Sequence, residues 1–370
     1  MNKKVRIGFV GVGSISGIYL KNLTEMFREV EIIGVCDLIR ERAQKAVDEY
    51  NIPKLYNDMY ELFADPDVDI VLNITRPYEH FEVTKAALLA GKHVYSEKPL
   101  GATIEEGVEL VRLAEEKGLM LGGAPDTYMG AAIQTSRKLI EDGYIGTPIG
   151  AHAHMICHGH EGWHPDPEFY YKHGGGPMMD MGPYYVTALI NLLGGVKKIA
   201  GMTKASFPTR TIKSQPHYGE IVTVDVPTYV TGIMEFDSGA IGTIFTTFDV
   251  YHDDGCKIEI YGTEGTLQVP DPNGFGGEVR LLRPEIGQYR EVPHCFKYSD
   301  NSRGLGLADM AKALRTGRDF RSNYKQTMHV LEILETFKLS SESGSFIELK
   351  SKYTPGKPMI NHPLDGIFED

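Results

Sequence analysis

The sequence predicts a doubly wound, parallel α/β domain followed by an α+β domain with a large, mainly antiparallel open sheet. Three observations carry this expectation. Apolar runs rich in β-branched residues alternate with amphipathic stretches from Val5 to about Leu121, the rhythm of strand–helix–strand units with right-handed crossovers. Two closely spaced glycines, Gly11 and Gly13, follow directly on the first apolar run. Beyond about Ala124 the period changes, and from Lys197 to about Arg283 apolar and polar residues alternate between Gly and Pro turns. The expected division is therefore residues 1–124 and residues 125–370.

The first strand is Val5-Arg6-Ile7-Gly8-Phe9-Val10. Gly11-Val12-Gly13-Ser14-Ile15-Ser16-Gly17 turns it into a helix with Ile15, Ile18, Tyr19, Leu23 and Met26 on one stripe. Gly11 lets the chain turn, and Gly13 leaves room for a pyrophosphate to approach the backbone. Ser14 and Ile15 complete the turn, and the helix opens with N–H groups aimed at the phosphates. Ser16 replaces the third glycine of the G-x-G-x-x-G pattern and is small enough to keep helix and strand close. A second strand over 31–36 ends in Asp37, whose carboxylate can accept hydrogen bonds from an adenosine ribose and repels a 2′-phosphate. This reads as a Rossmann domain that takes NAD in preference to NADP. Arg40 is placed to lie against the adenine or to reach a phosphate. The bland alternative is an ordinary glycine turn and a surface aspartate.

A helix to Tyr50, a short strand at Leu55-Tyr56 and a buried strand over 69–74 follow. A helix over 81–90 is stopped by Gly91, and a strand over 92–96 runs into Glu97-Lys98-Pro99. A helix over 103–117 is stopped by Gly118 before a last strand at 119–121. Ligands of such sheets bind beyond the carboxyl ends of the strands, where Thr75, His80, Glu97 and Lys98 fall. The second domain should hold a helix over 128–142, a strand over 149–157, a long loop over 158–176 and a helix over 177–193. Strands at 228–236, 240–248, 257–262 and 266–269, helices at 305–315 and 324–340 and a polar tail complete it. The active site is expected where the two domains meet.

A chain of 370 residues is long enough for two cores. A net charge of −12 argues against nucleic acid and anionic membrane surfaces as partners. No apolar run approaches the roughly 20 residues that span a bilayer. Cys36, Cys157, Cys256 and Cys295 are far apart and form no C-x-x-C pair. With a strand starting by Val5 and no room for a signal peptide, they read as reduced thiols of a cytoplasmic protein.

Four segments together resemble the glucose–fructose oxidoreductase and inositol dehydrogenase (Gfo/Idh/MocA) family. They are the glycine turn, the stretch from Thr75 to His80, the run Ala90-Gly91-Lys92-His93-Val94-Tyr95-Ser96-Glu97-Lys98-Pro99, and Gly174-Gly175-Gly176 with Asp180-Met181-Gly182-Pro183-Tyr184. The resemblance covers nearly the full length. It implies an enzyme that oxidises a ring hydroxyl of a sugar or cyclitol, or reduces the ketone, with a nicotinamide cofactor. It also implies that Lys98 positions and polarises the reacting hydroxyl and that Asp180 and Tyr184 complete the site. Family members most often carry His where this chain has Tyr184, and an Asn-Arg type pair near its Asp126. The segment at Asp126 is expected near the nicotinamide. A homodimer or homotetramer through the C-terminal sheet is implied as well.

The chemistry agrees with those residue types. Hydride leaves a carbon only as its hydroxyl proton leaves, so the site needs a proton acceptor and a cation for the developing alkoxide. With the roles that the resemblance implies, Tyr184 is expected to exchange the proton, Lys98 to stabilise the alkoxide, and Asp180 to hold both the hydroxyl and the lysine. The His-rich stretch from His152 to His164 places His152, His154, Ile156 and His158 on one strand face. Zinc binding is one reading. A polar pocket wall, with His158, His160 and His164 reaching sugar hydroxyls and Trp163 stacking on a pyranose face, is preferred, with no metal. The expected substrate is a sugar, glycoside or cyclitol, with a glucoside-type pyranoside as the preferred instance. The alternatives are a redox-neutral sugar oxidoreductase with tightly bound cofactor and a non-catalytic regulator that senses NAD and sugar.

Overall fold

A computed structural model describes residues 4–252 and 255–360. Their contacts divide them into two compact units. The first contains residues 4–130, 296–328 and 356–360, and the second contains 131–252, 255–295 and 329–355. The expected division at 124/125 therefore differs at residues 125–130, which stay in the first unit, and at 296–328 and 356–360, which return to it.

The first unit begins with β1 (Val5–Val10), α1 (Ser16–Glu25), β2 (Val30–Cys36), α2 (Arg40–Tyr50), β3 (Lys54–Leu55) and α3 (Met59–Ala64). It continues with β4 (Ile70–Asn73), α4 (His80–Leu89), β5 (His93–Ser96), α5 (Ile104–Lys117) and β6 (Leu121–Gly123). The strands form one parallel sheet in the order β3-β2-β1-β4-β5-β6. β4 is wholly buried and β1 nearly so, as strands covered on both faces must be. The strand order reverses between β1 and β4, which creates the crevice where such sheets bind ligands. α3 escaped the sequence reading because six residues are too few to show a helical period. Its signal was the cap: the Asp58 carboxylate accepts from the Glu61 N–H at 2.8 Å.

The second unit holds α6 (Ala131–Glu141), β7 (Pro148–Ile156), α7 (Pro177–Asp180), α8 (Gly182–Leu193), β8 (Val196–Lys204), β9 (Thr209–Thr211) and β10 (Ile221–Thr223). β11 (Tyr229–Phe236), β12 (Ile241–Thr247), β13 (Ile258–Gly262), β14 (Thr266–Val269), β15 (Val279–Leu282) and β16 (Arg290–Val292) follow. Nine strands pair in the order β16-β15-β14-β13-β7-β12-β11-β8-β17, the last being Ile347–Glu348. β7 and β12 run parallel, and every other pair in this sheet is antiparallel. The sheet is therefore mixed but mostly antiparallel. α8 is buried along its whole length and packs on the face carrying Ala151, Ala153 and Met155. His152 and His154 alternate with those residues and so occupy the opposite, open face, together with the exposed Met202 and Ile241.

The helix expected over 177–193 is broken at Met181. Pro183 has no N–H to donate, and the Tyr184 N–H bonds to the Met181 carbonyl at 3.1 Å, three residues back. At the other end of the chain, α9 (Leu305–Thr316) belongs to the first unit, and α10 (Tyr324–Ser343) carries the chain into the second. Asp126, buried to 1% exposure, explains the return. Its Oδ2 accepts from the Gly304 N–H at 2.9 Å and the Gly306 N–H at 3.0 Å, capping α9. This is the structural role that the sequence did not assign to it.

Burial raises the Asp126 pKa from 3.8 to about 6, opposed by those two N–H groups and by Arg303. The folded chain then holds this proton more tightly than the unfolded chain does. Between about pH 4 and pH 6 stability therefore falls as pH rises, and the loss is complete above the folded value. Asp126→Asn keeps an oxygen for both N–H groups without the charge. Relative to the parent, the variant should gain roughly 2–3 kcal/mol in urea denaturation at pH 7 compared with pH 4. A gap between the two proteins that does not change with pH would refute this.

Candidate active site

The first unit gathers the expected cofactor residues at the carboxyl ends of adjacent strands. Gly11 follows β1 at φ +93°, and a Cβ there would lie 2.6 Å from the Ile74 carbonyl oxygen beyond β4. Only glycine fits that turn. A Cβ on Gly13 would meet nothing within 4 Å, so the backbone can be approached from outside. Ser14 and Ile15 are exposed in the turn. Ser16 closes it, its N–H and Oγ both donating to the Gly13 carbonyl at 3.2 and 2.7 Å. The N-cap residue of α1, Ile15, has no side-chain acceptor to offer the leading N–H groups of the helix. Asp37 lies just past β2, where Oδ2 accepts from the Val12 N–H at 2.5 Å and Oδ1 from the Ile39 N–H at 2.7 Å. The carboxylate is thus oriented by backbone while keeping lone pairs for a diol. These features fit an NAD adenosine and pyrophosphate. Arg40 is exposed and donates to Asn57 Oδ1 at 3.0 Å, which ties it to the turn before α3.

Thr75 follows β4 and is held by buried Asn73, whose Oδ1 accepts from the Thr75 hydroxyl at 2.7 Å. Glu97 follows β5. Its Oε1 accepts from the Tyr19 hydroxyl at 2.6 Å and its Oε2 from the Lys98 N–H at 2.9 Å. Glu97 therefore acts on Lys98 through the backbone, fixing where a half-buried lysine leaves the strand. His80 differs from expectation. It is 1% exposed, and its ring nitrogens face the Pro99 carbonyl at 2.8 Å and the Thr75 carbonyl at 3.1 Å. Burial lowers its pKa. It braces the Thr75 and Lys98–Pro99 segments against each other rather than facing a cofactor.

The second unit brings together His160 and Asp180, with Nε2 3.6 Å from Oδ2. Asp180 ends α7, and Tyr184, buried to 7% exposure, lies in the first turn of α8. His160 packs against Tyr170, Phe248 and Trp163 at ring-centroid distances of 4.3, 4.6 and 5.4 Å. Trp163 is 64% exposed. His164 is engaged by its own loop: its Nδ1 accepts from the Asp166 N–H at 3.1 Å, and burial lowers its pKa. His158 stacks on Tyr251 at 3.7 Å. Of the three loop histidines offered as pocket wall, His160 is the one paired with Asp180. Among the described residues, no three His, Cys, Asp or Glu side chains are grouped so as to hold a metal ion.

Sequence reasoning missed what holds this loop. Arg210 lies between two carboxylates, with Nη1 2.9 Å from Glu161 Oε1 and Nη2 2.7 Å from Asp249 Oδ1, all nearly solvent-free. The Tyr171 hydroxyl also donates to Glu161, and Thr228 Oγ1 donates to Asp249 Oδ2 at 2.7 Å. Glu161 adjoins His160 in sequence, so this network fixes the base of the histidine.

Comparison with known proteins agrees with these features. The model "Oxidoreductase family, NAD-binding Rossmann fold" matches residues 5–123, and the model "GFO/IDH/MocA C-terminal domain" matches residues 133–268. The chain is 28% identical to the D-xylose dehydrogenase of Paenarthrobacter nicotinovorans over 358 residues, 90% of each chain. It is 27% identical to the scyllo-inositol 2-dehydrogenase (NAD(+)) of Bacillus subtilis over 325 residues, 86% of this chain and 88% of that one. Its fold matches that of a levoglucosan dehydrogenase solved with NADH and levoglucosan, with a TM-score of 0.80 at 20% identity over 94% of this chain and all of that one. The two matches together cover most of the chain, which is a member of the Gfo/Idh/MocA family of NAD-binding oxidoreductases.

Proposed function

We propose that this NAD-dependent oxidoreductase oxidises a secondary ring hydroxyl of a sugar, glycoside or cyclitol to the ketone, with a glucoside-type pyranoside as the preferred substrate. The observation that carries the reading is Lys98. It leaves β5 beside the crevice where the strand order reverses, with its backbone fixed by Glu97. The relatives named above act on D-xylose and scyllo-inositol, which share a ring or chain of secondary hydroxyls. When bound, NAD supplies the hydride acceptor. Lys98 stabilises negative charge on the substrate oxygen, Tyr184 takes the hydroxyl proton, and Asp180 orients the hydroxyl and the ammonium.

The test is reduction of added NAD by a panel of D-xylose, myo-inositol, scyllo-inositol, levoglucosan and methyl glucosides. Turnover of free NAD supports the reading. Oxidation of one sugar coupled to reduction of another, without free NADH, would favour the redox-neutral alternative. Sugar binding without either reaction would favour a regulator.

Asp37 sets the cofactor preference. Asp37→Ser should raise KM for NAD about 10–100-fold, the worth of hydrogen bonds to a charged group, and should narrow the preference over NADP. An unchanged NAD/NADP ratio of kcat/KM would contradict this. We also propose a homodimer or homotetramer through the open sheet face, where Met202, Ile233 and Ile241 are 75%, 39% and 59% exposed. Light scattering measures its mass.

A further inference from the structure

We propose that His160 and Asp180 form a donor–acceptor pair that grips a single hydroxyl of a polyol ring and so selects the substrate's hydroxyl pattern. The inference rests on the proposed function only in taking that polyol to be the molecule oxidised.

The geometry points to a hydroxyl. Nε2 of His160 and Oδ2 of Asp180 are 3.6 Å apart. A direct N–H···O bond spans about 2.7–3.2 Å, so the two groups are slightly too far apart to satisfy each other. An oxygen about 2.8 Å from both closes the triangle. That oxygen must accept from the imidazole and donate to the carboxylate, which a hydroxyl does with one atom. A ketone oxygen cannot donate, an ammonium cannot accept, and a carboxylate would be repelled by Asp180.

His160 is built for such a partner. Its Nε2 is buried and makes no hydrogen bond among the described residues, an arrangement that costs free energy until a ligand supplies the bond. The ring cannot swing elsewhere, because Tyr170 and Phe248 close on it at 4.3 and 4.6 Å. Its backbone carbonyl accepts from the Trp163 and His164 N–H groups at 3.2 and 3.0 Å, and its neighbour Glu161 is locked to Arg210 at 2.9 Å. The nitrogen is therefore held in place before any ligand arrives. The aromatic walls around it favour the C–H faces of a ring over a second charge.

The protein carries its own reporter. Trp163 is the sole tryptophan, and its ring stands edge-on to His160. Tryptophan emission should change saturably as at least one of myo-inositol, scyllo-inositol, D-xylose or methyl β-D-glucoside is titrated in. In His160→Gln, which keeps a polar side chain, the midpoint should rise at least about 10-fold while NAD affinity stays within twofold, showing an intact fold. One monodeoxy analogue of the responding polyol should bind the parent protein about 10-fold more weakly and lose nothing further in His160→Gln. Absence of any emission response in the parent, equal midpoints in parent and variant, or losses that add independently would each overturn the pair. NAD reduction measured alongside separates the two ideas. Turnover with an unchanged midpoint in His160→Gln leaves the dehydrogenase standing and removes the pair. A His160-dependent emission change without turnover does the reverse.

Discussion

Lys98→Met is expected to lower kcat about 100–1,000-fold, the usual cost of removing one preorganised group from a developing oxyanion, while NAD binding changes little. The residues proposed to cradle the cofactor, Gly11, Gly13 and Asp37, follow other strands and do not depend on the Lys98 side chain. Glu97 holds the Lys98 backbone N–H, a bond that does not involve the substituted side chain, so the strand end survives the substitution. The loss should therefore appear in kcat and not in NAD affinity measured by NADH fluorescence. A variant that keeps full turnover would remove Lys98 from the chemistry. Tyr184→Phe provides the companion measurement. Loss of the phenol should cost about 100-fold or more and flatten the acidic side of the pH–rate profile for oxidation, where this base would be protonated. Full activity in that variant would pass the proton to another group.

The largest stability effect is expected at Arg210. Arg210→Ala strands the carboxylates of Glu161 and Asp249, whose side chains are only 8% and 3% exposed. Removing one member of a buried ionic network costs about 3–5 kcal/mol, because the remaining charges have no water and no counter-ion. Urea denaturation should show that loss as a lower midpoint. Adding Glu161→Gln and Asp249→Asn should recover part of it, since neutral amides cost less to bury than unpaired carboxylates. A loss below about 1 kcal/mol for Arg210→Ala would mean that solvent reaches the carboxylates.

What the sequence made legible was local. The glycine turn, Asp37 and the Glu-Lys-Pro strand end are each defined by chemistry within a few residues, and each follows directly on its strand, β1, β2 or β5. His80 read as a cofactor contact because it also follows a strand. Its burial depends on the Pro99 carbonyl, a partner that only the folded sheet supplies. The Glu161–Arg210–Asp249 network joins residues 49 and 39 positions apart, and no spacing rule announces such a pairing. The same holds for Asp126, whose partners lie on a helix far along the chain. The histidine run shows the limit of strand alternation. It separated the two faces of β7 but could not tell which face the helices cover, and that choice placed His152 and His154 away from α8.

The detour of residues 296–328 back to the first unit has a consequence for biosynthesis. A ribosome that has released only the nucleotide-binding strands has not yet made the helix that Asp126 caps, so at that stage the carboxylate has neither of its N–H partners. The intervening second unit can close on most of its own strands first. Maturation should then run out of order, with the earliest residues to emerge among the last to become protease-resistant.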